Sequence, residues 1–135
     1  MSEWIMLVPS FVFNRIKTEF SEEIKNRYSM TADNFSTVNS ANKAAVFPFV
    51  YVHALPASEQ GQDLEGNTVN AGLFTFQVEV IDNKSQSRSR AVMSEVIRIM
   101  KSMRFDIISM PEFDTDGTHR CVARFRRTIG SGDVL

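Results

Sequence analysis

The sequence carries one cysteine, Cys121, and two histidines, His53 and His119, in 135 residues. One thiol closes no internal disulfide, so nothing ties the fold to an oxidising compartment. Neither histidine has a cysteine or a second histidine near it in sequence, so metal-ligand spacing is missing and both read as ordinary strand residues. Net charge is lacking as well: 15 Lys and Arg against 16 Asp and Glu leave −1. A dedicated nucleic-acid binder usually shows a strong basic excess. No stretch reaches the roughly 18 apolar residues that suggest a membrane span. The apolar start WIMLVPSFVF does not read as a secretory leader. Glu3 stands where a basic region belongs, Pro9 interrupts the run, and no small-residue cleavage site follows. The protein is therefore expected to be soluble and to work where it is made.

Catalytic signatures are also missing: no P-loop, no GxGxxG, no HExxH and no GxSxG. Residues 112–117 give E-x-D-x-D-G, like the opening of a calcium loop, but the twelfth position, which needs a bidentate Glu, is Ala123. That stretch reads as an acidic β-turn. Cys121 falls on the apolar side of its segment and reads as an inert core thiol. Neither enzymatic activity nor a cofactor or metal is expected.

What is present suits one globular domain: 43% hydrophobic and 23% charged residues, enough chain to close a single core. Residues 1–10 form an apolar N-terminal segment. Over 11–28, Phe13, Ile16, Phe20 and Ile24 recur at helical spacing, with Ser10 as N-cap. Residues 31–43, rich in Ser, Asn and Thr, read as a loop. VFPFVYVHAL (46–55) is a strand with Phe47, Phe49, Tyr51 and His53 on one face, and Pro48 favours an early or edge position. LFTFQVEVI (73–81) alternates, with Phe74, Phe76, Val78 and Val80 inward. Between them, 56–72 reads as a long mobile hairpin loop, in which Glu59, Asp63 and Glu65 are unaccompanied by any cation. Residues 88–103 make a second helix through Val92, Val96, Ile99 and Met103.

Residues 105–110 and 119–129 are the last strands, with a turn over 112–119 whose Asp116-Gly117 pair favours a hairpin. In the final strand Cys121, Ala123 and Phe125 point one way, and Arg120, Val122, Arg124 and Arg126 the other. The tail 130–135 reads as flexible. The expected architecture is α+β, in the order α-β-β-α-β-β: a four-stranded, mainly antiparallel sheet with two helices on one face. Its core should contain Phe13, Ile16, Phe20, Phe74, Phe76, Val78, Val96, Ile99, Met100 and Phe125.

Charge is sorted although the total is balanced. Lys84, Arg88 and Arg90 gather at the start of the second helix, where the dipole already favours anions. Arg120, Arg124 and Arg126 follow in the last strand. The acids sit elsewhere, in 56–72 and 105–117. Two readings stand side by side: solvated surface, or separate patches suited to head-to-tail contact between copies, which closes into a ring when the rotation permits.

The order FPFVYV, acidic loop, FTFQVEVIDNK, helix ending MKSMRF, P-x-F-D turn and RCVARFRRTI resembles the tail-completion (tail terminator) proteins of long-tailed bacteriophages, also labelled minor capsid or head–tail joining proteins. The likeness covers residues 46–129 and rests on order and spacing. It implies helices packed on a sheet, a hexameric ring capping the tail tube protein, contact with the head connector protein, and DNA passing through the lumen. It implies no enzymatic activity, no cofactor and no membrane. The place implied is the virion, at the tail or head–tail junction, after assembly in the host cytoplasm. On this likeness Lys84, Arg88 and Arg90 would meet Glu59, Asp63 and Glu65 of a neighbouring subunit, with lumenal DNA as the other candidate. Arg120, Arg124 and Arg126 would face the lumen or a partner. The alternatives are a neck or head-completion protein on the portal side, and a small α+β ligand-binding domain with Tyr51 and His53 lining a pocket.

Overall fold

Two alternating runs of β-branched and aromatic residues form the middle of one sheet. The computed structural model describes residues 4–37, 46–56, 58–62, 69–109, 112–115, 118–130, 132–133 and 135. Strand β4 (Val69–Asp82) and strand β7 (Thr118–Gly130) pair antiparallel from Ala71↔Gly130 to Asp82↔His119. On the other side of β4 lie β2 (Phe49–Ala54) and then β3 (Ser58–Gln62), both antiparallel to it. The outer side of β7 is shared in the same way by β5 (Asp106–Ser109) and β6 (Glu112–Thr115).

Each side of the β4–β7 pair thus holds two strands where one was expected. Between β2 and β3, Pro56 has no N–H to give a ladder. β5 carries a register shift against β7 between Ile107 and Ser109. A further short strand, β1 (Phe35–Ser36), runs parallel to β2, so the sheet is mixed rather than antiparallel throughout. The order across it is β1-β2-β4-β7-β5, with β3 on β4 and β6 on β7. The fold is α+β as expected, but the strand count and element order are corrected.

Two loop assignments change with it. The segment read as a loop over 56–72 contains β3 and the start of β4, paired from Ser58↔Leu73 to Gln62↔Val69. Residues 63–68, with Asp63 and Glu65, lie outside the described residues. The stretch read as a turn after residue 111 is strand β6, and Thr115 pairs with Thr118. The two residues between them, Asp116 and Gly117, are also outside the description.

Among the described residues three α-helices replace the expected two: α1 (Trp4–Glu19), α2 (Glu22–Arg27) and α3 (Gln86–Ser102). α1 starts inside the apolar N-terminal segment, holds Pro9 in its interior and stops short of residue 28. Ser10 is therefore a mid-helix residue and not a cap. Pro9 costs the helix about 3 kcal/mol through a lost hydrogen bond and a clash with the preceding turn. Against this, Val8, Val12 and Ile16 recur every fourth residue and are buried, and each contributes roughly 1.5–3 kcal/mol. Packing wins. The helix ends where the Ser21 N–H donates to Glu95 Oε2 at 2.8 Å.

One face of the sheet carries the core. Val50, Val52, Phe74, Phe76, Val78, Val80, Cys121, Ala123 and Phe125 pack with α1 and α3 in a single cluster. All ten core residues expected from periodicity are buried except Phe13, which is half-buried. Phe105 closes the α3–sheet corner, its ring edge-on to Phe76.

Candidate interaction surface

The run Asp82-Asn83-Lys84-Ser85 turns β4 into α3. The Asp82 side chain is fully buried, and its Oδ2 accepts from the N–H groups of Lys84 (3.1 Å) and Ser85 (3.0 Å). Ser85 then caps α3 by accepting from the Arg88 N–H at 3.2 Å. An Asp bonding its own backbone two and three residues on, followed by a Ser cap, is a legible turn signal that hydrophobic periodicity alone misses.

This geometry splits the basic cluster. Lys84 and Arg90 are exposed. The Arg88 side chain is only 18% exposed; its Nη2 lies 3.6 Å from Asp82 Oδ1, and its guanidinium stacks 4.9 Å over the Tyr28 ring. Arg88 answers a buried carboxylate of its own chain and holds α3 to the loop after α2. It is not one of three equivalent surface cations.

The second basic row sits on the sheet face away from the helices. Arg120, Arg124 and Arg126 lie on alternate positions of β7, opposite Ile81, Gln77 and Thr75 of β4. Arg120 Nε is 3.7 Å from Glu79 Oε1, a half-buried pair. Arg124 Nε donates to Gln77 Oε1 at 2.9 Å. Arg124 and Arg126 are exposed. Toward β2 the same face turns apolar: Phe49, Tyr51 and Ile81 form a second buried cluster under Val46 and Phe47.

The acids expected to answer these cations are at the other end. Glu59 sits on β3 opposite Gly72, near the start of β4, whereas Lys84 and Arg90 follow its end. From Gly72 to Asp82 at the end of β4, about 3.3 Å per residue gives roughly 33 Å. Within one copy, Glu59 cannot reach the basic entry to α3.

One carboxylate with a shifted pKa was not singled out by sequence. Glu95, buried within α3, accepts from Arg98 at 2.9 and 2.6 Å and from the Ser21 N–H. The hydrogen bond from Arg98 is the main reason its pKa falls below the ordinary glutamate value, and that of Arg98 rises in return. Arg98 also donates to Glu19 O at 3.0 Å. The group clamps α3 to the α1–α2 break. Its role is structural.

His53 lines two grooves beside α1, of about 420 and 520 Å³, whose walls include Pro9, Ala54 and Phe76. Neither groove has His119 or an acid among its described lining residues. Tyr51 OH and His53 Nδ1 are 3.1 Å apart. Among the described residues no three His, Cys, Asp or Glu side chains converge as metal ligands, and no helix is long and apolar enough to cross a membrane. Cys121 is buried in the core. No family model matches the chain, and no curated protein matches it.

Proposed function

We propose that this chain is a structural subunit that assembles head-to-tail into a closed ring, most simply a hexamer, and caps the tail tube of a long-tailed phage at the head–tail joint. The observation that carries it is the separation of charge along β4. Glu59 on β3 and the basic entry to α3 lie roughly 33 Å apart along β4 and can meet only between copies. Contact between two different patches is heterologous, and it either closes or propagates. The chain's order of elements, with two hairpins flanking a helix, supports the tail-completion reading. Lys84 and Arg90 are the cations offered to the neighbour, and Arg124 and Arg126 supply a sparse basic face toward the lumen or a partner. Sparse contacts suit passing DNA, because many phosphate contacts would hold it.

The test is binding to purified tail tubes that lack a cap, with portal-containing heads in parallel. Capped tubes and rings in negative stain are expected. Binding to heads with no binding to tubes would move the protein to the portal side. Binding to neither, with a monomeric mass at every concentration, would sink the reading.

A further inference from the structure

Phe13, Ile16, Phe20 and Ile24 recur at the spacing of a single helix, yet the chain divides between them into α1 and α2. Sharp breaks trace to proline, to glycine, or to a side chain that enters the hydrogen-bond ladder. Residues 17–24, KTEFSEEI, hold neither proline nor glycine. Ser21 stands at the break with φ −57° and ψ 127°, and its side chain makes no cap. The ladder is therefore where to look.

In an unbroken helix the Ser21 N–H would donate to Lys17 O, and the Glu23 N–H to Glu19 O. Here both members of the first pair are held by other groups. The Ser21 N–H donates to Glu95 Oε2 at 2.8 Å, and Lys17 O accepts from Lys25 Nζ at 3.0 Å. Glu19 O accepts from Arg98 Nη2 at 3.0 Å. Glu95 and Arg98 also bind each other, so one ion pair of α3 serves both severed ends. Lys17 and Lys25 would stand about 12 Å apart along a continuous helix, too far for the lysine to reach back to that carbonyl. Its contact exists only in the bent form.

We infer that the bend is a hinge held closed: α1 and α2 are one helix by local preference, Glu95, Arg98 and Lys25 keep them bent, and release draws Tyr28 off Arg88. Tyr28 ends α2, and its ring lies 4.9 Å under the Arg88 guanidinium. It sits seven residues from Ser21, about 10 Å of helix from the pivot, so it travels with α2 when the hinge opens. Arg88 and the Asp82 carboxylate beside it are then uncovered at the basic entry to α3. The device works within one chain and stands whether or not copies assemble. The competing cause is burial, since Phe20, Met30 and Phe35 are all buried around the break. A bend set by burial alone would survive loss of these hydrogen bonds, and that separates the two.

The experiment uses the full chain with Glu95→Leu, which leaves the Ser21 N–H no partner but Lys17 O. Nuclear magnetic resonance reads the Cα shifts of Phe20 and Ser21 and the solvent exchange of the Arg88 Nε–H. In wild type the Ser21 shift should lie on the extended side; in the variant it should move to the helical side, and Arg88 should lose protection. Should Glu95→Leu not fold, Ser21→Ala with Lys25→Met decides. That pair leaves Glu95 and the core in place, frees Lys17 O, and raises helix preference at the break, so the same shifts should move toward helical values. Ser21 still extended in a folded Glu95→Leu, or unmoved in the second variant, would overturn the inference and assign the bend to burial. Ser21 turning helical while Arg88 stays protected would overturn the coupling.

Discussion

Arg88 illustrates how a residue's meaning changes once its partner is known. Sequence places it in a row of cations at a helix start, and that placement is correct. What the row cannot reveal is Asp82, whose burial depends on the strand ending where it does. Periodicity assigns a side chain to a face; it does not assign its partner. Asp82 satisfies two backbone donors and faces a guanidinium that is itself mostly buried. Asp82→Ala should therefore destabilise the protein by about 3 kcal/mol, since it strands both the turn and the arginine. Asp82→Asn, which keeps an acceptor, should cost less. Urea midpoints of the two variants check the ranking, and equal midpoints near wild type would mean that the pair is idle.

Glu95 belongs to the same scale and gives a pH dependence. Its folded pKa is lowered, chiefly by the Arg98 hydrogen bond. The stabilisation is therefore present above the ordinary glutamate value and is lost as pH falls through the lower folded value. Wild type should exceed Glu95→Gln in stability at neutral pH, and the gap should close on acidification across that window. Denaturant unfolding of both proteins from neutral to acidic pH measures it; a gap that widens in acid contradicts the assignment.

At the scale of elements, long periodic segments were legible and short polar ones were not. α3, β4 and β7 announce themselves through stripes or alternation that a core requires. β1, β3 and β6 are short strands without a long apolar pattern, and pairing with a longer neighbour makes them strands. β1 depends on Asn34, whose Nδ2 donates to Pro48 O at 2.7 Å, a contact across residues that sequence reads as loop. Leu135, in the stretch read as a flexible tail, meets α1 where Arg15 Nη1 donates to Leu135 O at 2.7 Å.

The misplaced start of α1 has a different cause. Pro9 is a strong local signal, and tertiary burial of Val8, Val12 and Ile16 overrides it. If so, the proline is tolerated and not required. Pro9→Ala should stabilise the chain by about 2 kcal/mol, the helix gain less the lost restraint on the unfolded state. A lower melting temperature in this variant would show that the ring itself packs something the helix needs.

At the scale of the molecule, the sorted charges make a demanding prediction about assembly. Lys84→Glu with Arg90→Glu makes the basic entry acidic; Arg88 is left alone because it holds Asp82. Glu59→Lys, Asp63→Lys and Glu65→Lys make the acidic hairpin basic. Each reversed protein alone would bring like charges together at every contact, so neither should assemble. Mixed in equal amounts, each contact between the two kinds regains opposite charges, and rings should return. Alternation also restricts their size, because a closed ring of two alternating kinds has an even number of subunits. A hexamer meets that requirement. The rescue should weaken as salt is added, since exposed charge pairs are screened beyond about 8 Å at physiological ionic strength. Native mass measurement of the mixture would show even multiples containing equal numbers of both kinds. If each reversed protein assembles alone as readily as wild type, the charges are solvated surface and another contact holds the ring.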